Sequence, residues 1–141
     1  MKLDKILAIS GKPGLYQLQS QTRTGFLAIS LLDGKRINVG LRNNVSLLSE
    51  IAIYTLEEEK PLHEIFKAIK EKENGNKTTI SHKAEKHELE EYFFSVLPNY
   101  DEDRVFANDI RKIIQWYNIL IDKGLLEEES SSEENNKQQE K

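Results

Sequence analysis

The chain has 141 residues, 38% of them hydrophobic, a formal net charge of -4 and no cysteine. That length accommodates one ordinary domain, or two very small units sharing a core, and excludes a multidomain enzyme. The absence of cysteine excludes a disulfide framework, a thiolate zinc site and a thiol nucleophile, and fits a reducing compartment.

In the opening MKLDKILAISGKPG, Asp4 and Lys5 interrupt a short apolar run, which excludes a signal peptide or membrane span. A cytoplasmic protein with no membrane association is expected. Lys2 to Ile9 is read as a short strand or a single helical turn, and Ser10 to Gly14 as a loop, because Pro13 cannot donate to a ladder. Apolar and polar residues alternate in Tyr16-Gln17-Leu18-Gln19, giving a strand with one wet face. After the polar loop Gln21 to Gly25, the run Phe26 to Leu32 is apolar on both faces and reads as a central strand. Asp33-Gly34 predicts a two-residue hairpin turn into the strand Arg36 to Val39. Val45 to Leu48 is expected to make one helical turn before the strand Ile51 to Thr55. A five-strand meander with a helical turn before the last strand is the layout of an SH3-like small barrel.

Glu57 to Pro61 is expected to open a helix carrying Leu62, Ile65, Phe66 and Ile69 on one face, stopped by Asn74-Gly75 and covering the central strand. Ser81 is the expected cap of a second helix with Leu89, Tyr92, Phe93, Val96 and Leu97, ended by Pro98. Asn108 is the expected cap of a third, with Ile110, Ile113, Ile114, Tyr117, Leu120 and Ile121 on one side and Gly124 as its stop. Residues 127–141 contain no apolar side chain and are expected to be disordered.

Charge is distributed unevenly. Residues 1–55 carry seven basic groups against three acidic ones, a net of +4, which leaves -8 for the remainder. Either the two parts face each other or the basic part meets a polyanion. Lys12, Arg23, Lys35, Arg36 and Arg42 fall in loops or beside turns, where they are candidate RNA phosphate contacts.

Other constellations dissolve on inspection. Asp101-Glu102-Asp103 lacks the EF-hand glycine, Phe106 standing at that position. His82 and His87 are five apart, which is not the spacing of a helical ligand pair, and no metal site is expected. Ser10-Gly11-Lys12 lacks the spacing of a phosphate loop. Glu90-Glu91 and Glu57 to Glu59 read as solvated helix faces rather than acid/base pairs. The connector between the second and third helices is too long for a helix-turn-helix, and its candidate face offers only Arg111 and Lys112.

The segments LDKILAISGKPGLY, SLLDGKRINVG, VSLLSEIAIYT, EEYFFSVLPNYDEDRVFANDI and KIIQWYN resemble an uncharacterised family of Bacteroidota bacteria, described as a domain of unknown function. The resemblance implies a soluble cytoplasmic bacterial protein and brings no catalytic residue or cofactor. The first 55 residues are also similar to small barrels of ribosome-associated and transcription-associated proteins. The expectation is an α+β protein: an SH3-like five-strand barrel over 1–55, a three-helix region packed on it over 56–126, and a disordered acidic tail over 127–141. Its expected function is non-enzymatic and cofactor-free, either RNA or ribosome association through the basic loops, or adaptor binding of a protein partner around Trp116 and Tyr117.

Overall fold

The computed structural model describes residues 3–12, 14–40 and 44–126. The expected disordered tail and Arg42 lie outside the described residues. Among the described residues, seven strands and three α-helices follow one another. Strands β1 (Ile6–Ile9), β2 (Tyr16–Thr22), β3 (Gly25–Ser30), β4 (Arg36–Gly40) and β5 (Val45–Leu47) form one antiparallel sheet in the order β4-β3-β2-β1-β5. The chain is thus α+β as expected, but the sheet is open, with β4 and β5 as its edges, and does not close into a barrel.

Two features explain why the expected barrel is absent. Val45 to Leu47 has the extended backbone of a strand and pairs with β1, and the helical turn falls one step later, as a 3-10 turn over Leu48–Glu50. The strand expected to complete the barrel, β6 (Ala52–Tyr54), then pairs with β7 (Glu59–Pro61) in a separate two-stranded hairpin. The acidic run that was expected to begin a helix is consumed by this hairpin, with buried Thr55 organising its turn: Thr55 Oγ1 accepts the Glu58 N–H at 2.9 Å and donates to the Glu58 carbonyl.

The open sheet nonetheless bends. Five residue steps join Gly40 on one edge to Val45 on the other, a reach of at most about 18 Å. Edge to edge, five flat strands would span about 19 Å even before any offset along the strands. A register slip in β2 between Leu18 and Ser20 supplies a bulge at which that strand can bend. All five strands contribute to a small core on one face, where Leu7, Ile9, Tyr16, Ala28 and Val39 are buried and Val45 and Leu47 pack against them. The run covered on both faces is β1 rather than the expected Phe26 to Leu32: Ile6 turns to the helical core, Leu7 and Ile9 to the strand core, and all three are buried. In β3, Phe26, Leu27 and Ile29 are half-buried.

The β3–β4 connection is longer than the two-residue turn expected. Ser30 N–H donates to the Lys35 carbonyl, Asp33 Oδ1 accepts the Lys35 N–H at 2.9 Å, and only Gly34 takes positive φ, at +75°. Gly25 is required for a different reason, since a Cβ there would lie 1.9 Å from the Val39 carbonyl oxygen on β4.

Helix α1 (Leu62–Lys72) buries Leu62, Ile65, Phe66 and Ile69, the stripe that its periodicity predicts. It packs against the 3-10 turn, β7 and α2. Helix α2 (Lys86–Val96) starts five residues after Ser81, whose hydroxyl instead accepts the Lys83 N–H within a turn. Its first turn is held by Glu88, which accepts the Glu85 N–H at 3.2 Å. Helix α3 (Ala107–Asp122) likewise begins before its expected cap: Asp109 accepts the Phe106 N–H at 2.9 Å, while Asn108 accepts from Arg111. In both cases an acidic residue in the first turn reaches back to an otherwise orphaned amide. The connector between α2 and α3 packs Tyr100 edge-on against Phe93, with ring centroids 4.9 Å apart. It is stitched to the β6–β7 hairpin by Leu56 N–H to the Asn99 carbonyl and Asp101 N–H to the Tyr54 carbonyl.

Candidate nucleic-acid interface

Helix α3 positions one wall of the site. Its core stripe, Ile110, Ile113, Ile114, Tyr117 and Leu120, is buried against α1, α2 and the sheet-side apolar residues. Beside that stripe, Asp109, Lys112 and Trp116 follow at spacings of three and four and so share one side of the helix. Trp116 is half-buried, with part of its surface packed on the core.

The facing wall comes from the sheet and hairpin. After β1 the chain turns through Ser10, Gly11 and Lys12, closed by Lys12 N–H to the Ile9 carbonyl at 3.1 Å, with Gly11 at φ +85°. Ser10 N–H donates to the Asn44 carbonyl, which fixes this turn beside the start of β5. A groove of about 520 Å³ results, lined by Ser10, Gly11, Lys12, Asn44, Lys112 and Trp116 among others. A second hollow of about 280 Å³ continues along β6 to Tyr54, Arg104 and Val105. Ile51, Lys112 and Trp116 line both, so the two hollows adjoin at these residues.

Lys12 and Lys112 make no ion pair among the described residues. At the other end, the Arg104 guanidinium lies 4.2 Å from the Tyr54 ring centroid and its Nε donates to Asp101 at 2.9 Å. That bond, followed by the Asp103 N–H, holds the Asp101 carboxyl below its ordinary pKa. The two hollows therefore offer cations, aromatic surface and backbone polar groups, which together suit an anion carrying planar rings.

The four expected RNA contacts among the described residues do not converge on one point. Lys12 lies in the groove. Lys35 and Arg36 are exposed at the same end of the meander as the Lys12 loop, which the Leu31 N–H to Leu15 carbonyl bond ties to the β3–β4 turn. Arg23 is exposed at the opposite end, in the β2–β3 hairpin. Of the expected partner-binding pair, Trp116 borders the groove, but Tyr117 is fully buried and donates its hydroxyl to the Asn76 carbonyl at 2.7 Å. Tyr117 is thus a core residue and presents no face to a partner. Sequence reasoning missed that Lys12 and Lys112 line one groove and that the Arg104 guanidinium lies over the Tyr54 ring. The available signal was the i, i+4 placement of Lys112 and Trp116 off the apolar stripe.

Residues 3–48 match the domain of unknown function DUF5606, and residues 51–120 match the domain of unknown function DUF6852. The junction between the matches falls at the 3-10 turn that separates the sheet from the β6–β7 hairpin. A solution NMR structure of a protein from Bacteroides vulgatus is 43% identical, covers 98% of this chain and 99% of its own, and superposes with a TM-score of 0.76. The chain belongs to the family of that Bacteroides protein. No curated protein matches it. No helix among the described residues is long and apolar enough to cross a membrane.

Proposed function

We propose that this is a non-enzymatic RNA- or ribosome-associated binding protein that contacts phosphate through the end of the sheet bearing Lys12. The observation that carries the reading is that Lys12 lines one groove with Lys112 and Trp116, although the three come from opposite ends of the sequence. Two ammonium groups that form no ion pair among the described residues stand beside an aromatic wall and attract a phosphate backbone, and Lys35 and Arg36 extend the positive surface beyond the groove. The test is sedimentation of the tagged full chain from lysate of its native host, with and without RNase and at two salt concentrations. Co-migration with ribosomal particles that is lost at high salt or after RNase supports the reading; an RNase-resistant complex, or no complex, overturns it.

A second reading is an adaptor whose protein partner docks on Trp116. It is favoured by the apolar lining of the smaller hollow, where Ile51, Ile53, Val105 and Ile113 adjoin that ring. An apolar partner would remain bound at salt concentrations that release RNA.

A further inference from the structure

Resting on the RNA reading, we infer that the groove is a track for unpaired nucleotides, with Trp116 as its stacking platform and Tyr54 as a second station. The two hollows share Ile51, Lys112 and Trp116, so a strand lying along them passes Lys12 and Lys112, then Trp116, then Arg104 and Tyr54. Lys12, Lys112 and Trp116 thus lie along one path that leads to Tyr54, whose ring is partly covered by Arg104 at 4.2 Å, an arrangement able to hold backbone phosphates and splayed bases together. In duplex RNA the base faces are hidden within the stack, so neither ring would have a partner there. Gln115 on the groove wall adds an amide able to donate to or accept from a base edge. The carboxylate lining this path, Asp109, is already engaged by the Phe106 N–H at 2.9 Å.

Trp116 is the single tryptophan of the chain, so the intrinsic fluorescence of the full-length protein reports on the platform itself. The probes are a short oligouridylate, the same oligonucleotide annealed to its complement, and heparin as a polyanion without bases. Fluorescence anisotropy of labelled probe measures binding independently of the tryptophan signal. The expected result is quenching of Trp116 by oligouridylate, affinity about tenfold or more above that for the duplex, and no comparable quenching by heparin. Equal affinity for single strand and duplex, or binding without quenching, overturns the track while leaving RNA contact intact. No binding to any nucleic acid overturns both. Because Trp116 also packs on the core, Tyr54→Leu provides a second variant, its folding checked by circular dichroism. A several-fold loss of oligouridylate affinity is expected, and unchanged affinity overturns the second station.

Discussion

The Tyr92 hydroxyl donates to Glu73 at 2.5 Å, joining the middle of α2 to the residue that ends α1. The same carboxylate oxygen accepts the Thr79 N–H at 3.0 Å and the Thr79 hydroxyl at 3.2 Å, and Glu73 is 7% exposed. A buried carboxylate with three donors fixes the chain's exit from α1 while supplying Tyr92 with the partner its buried oxygen needs. Glu73→Ala leaves those donors without an acceptor and is expected to destabilise the protein by about 2–4 kcal/mol, whereas Glu73→Gln, which keeps an acceptor, costs about 1 kcal/mol. Urea unfolding monitored by circular dichroism checks both values, and equal effects of the two variants would remove the hydrogen-bonding explanation.

Alkaline pH acts on the same cluster. Burial first, then the Glu73 hydrogen bond, raises the Tyr92 pKa; burial, then the Glu73 charge, pushes that of Tyr117 up to about 12. Both hydroxyls therefore keep their protons in the folded state at a pH where unfolded tyrosine, with a pKa of about 10, has lost them. The folded state binds more protons, so stability falls as pH rises. The contribution is complete below about pH 10 and declines above it, for Tyr117 over the interval from about 10 to 12. Denaturant midpoints measured across that interval should fall in the wild type and fall less in Tyr92→Phe.

Backbone crowding separates two glycines. At Gly25 an added Cβ would strike the Val39 carbonyl, a backbone atom that cannot rotate away, so Gly25→Ala is expected to cost about 1–3 kcal/mol by forcing β3 from β4. Gly34 has open space around it, and Gly34→Ala pays only for its positive φ, about 1–2 kcal/mol. Exchange of the β3–β4 amides should accelerate in the first variant far more than in the second.

What the sequence disclosed, and what it did not, follows from the range of the interactions involved. The stripe Leu62, Ile65, Phe66, Ile69 is a local pattern with one solution, and the helix buries all four. Alternation in Tyr16 to Gln19 marks β2, but the loop expected over Gln21 to Gly25 shrinks to Arg23-Thr24, because Gln21 and Thr22 pair with Phe26 and Gly25. Val45 to Leu47 was ambiguous because three apolar-polar-apolar residues fit a helical turn as well as a strand, and its pairing with Leu7 to Ile9 settles the choice from far along the chain. Glu59 to Pro61 was misread because acidic residues and proline suit a helix start, yet they also serve an edge strand. The caps slipped because Glu88 and Asp109 act from inside the first turn, a job that Ser81 and Asn108 seemed to fill. The groove was illegible for a simpler reason: Lys12 and Lys112 are a hundred residues apart, and only tertiary folding brings them to facing walls of one groove.

Tyr117 and Trp116 are adjacent in sequence but differ in kind. Tyr117→Ala removes a fully buried ring and its bond to Asn76, and is expected to destabilise the chain by about 3–5 kcal/mol. Any loss of binding in that variant should track the loss of folded protein. Trp116→Phe keeps an aromatic face on the core and should remain folded, so thermal denaturation of the pair distinguishes packing from contact.

The phosphate contacts are separable by salt. On a single strand, each neutralised phosphate contributes roughly 0.7 to the slope of log affinity against log salt. Lys12→Ala and Lys112→Ala should each lower affinity for oligouridylate and reduce that slope by about 0.7, because both ammonium groups face one groove and neither is held by a carboxylate among the described residues. Arg23→Ala, at the far end of the β2–β3 hairpin, should leave both quantities nearly unchanged. Lys35→Ala falls between, since its turn shares the Lys12 end of the meander but does not line the groove. If the slope responds equally to all four substitutions, binding is a diffuse attraction to a basic sheet, and the groove has no privileged role.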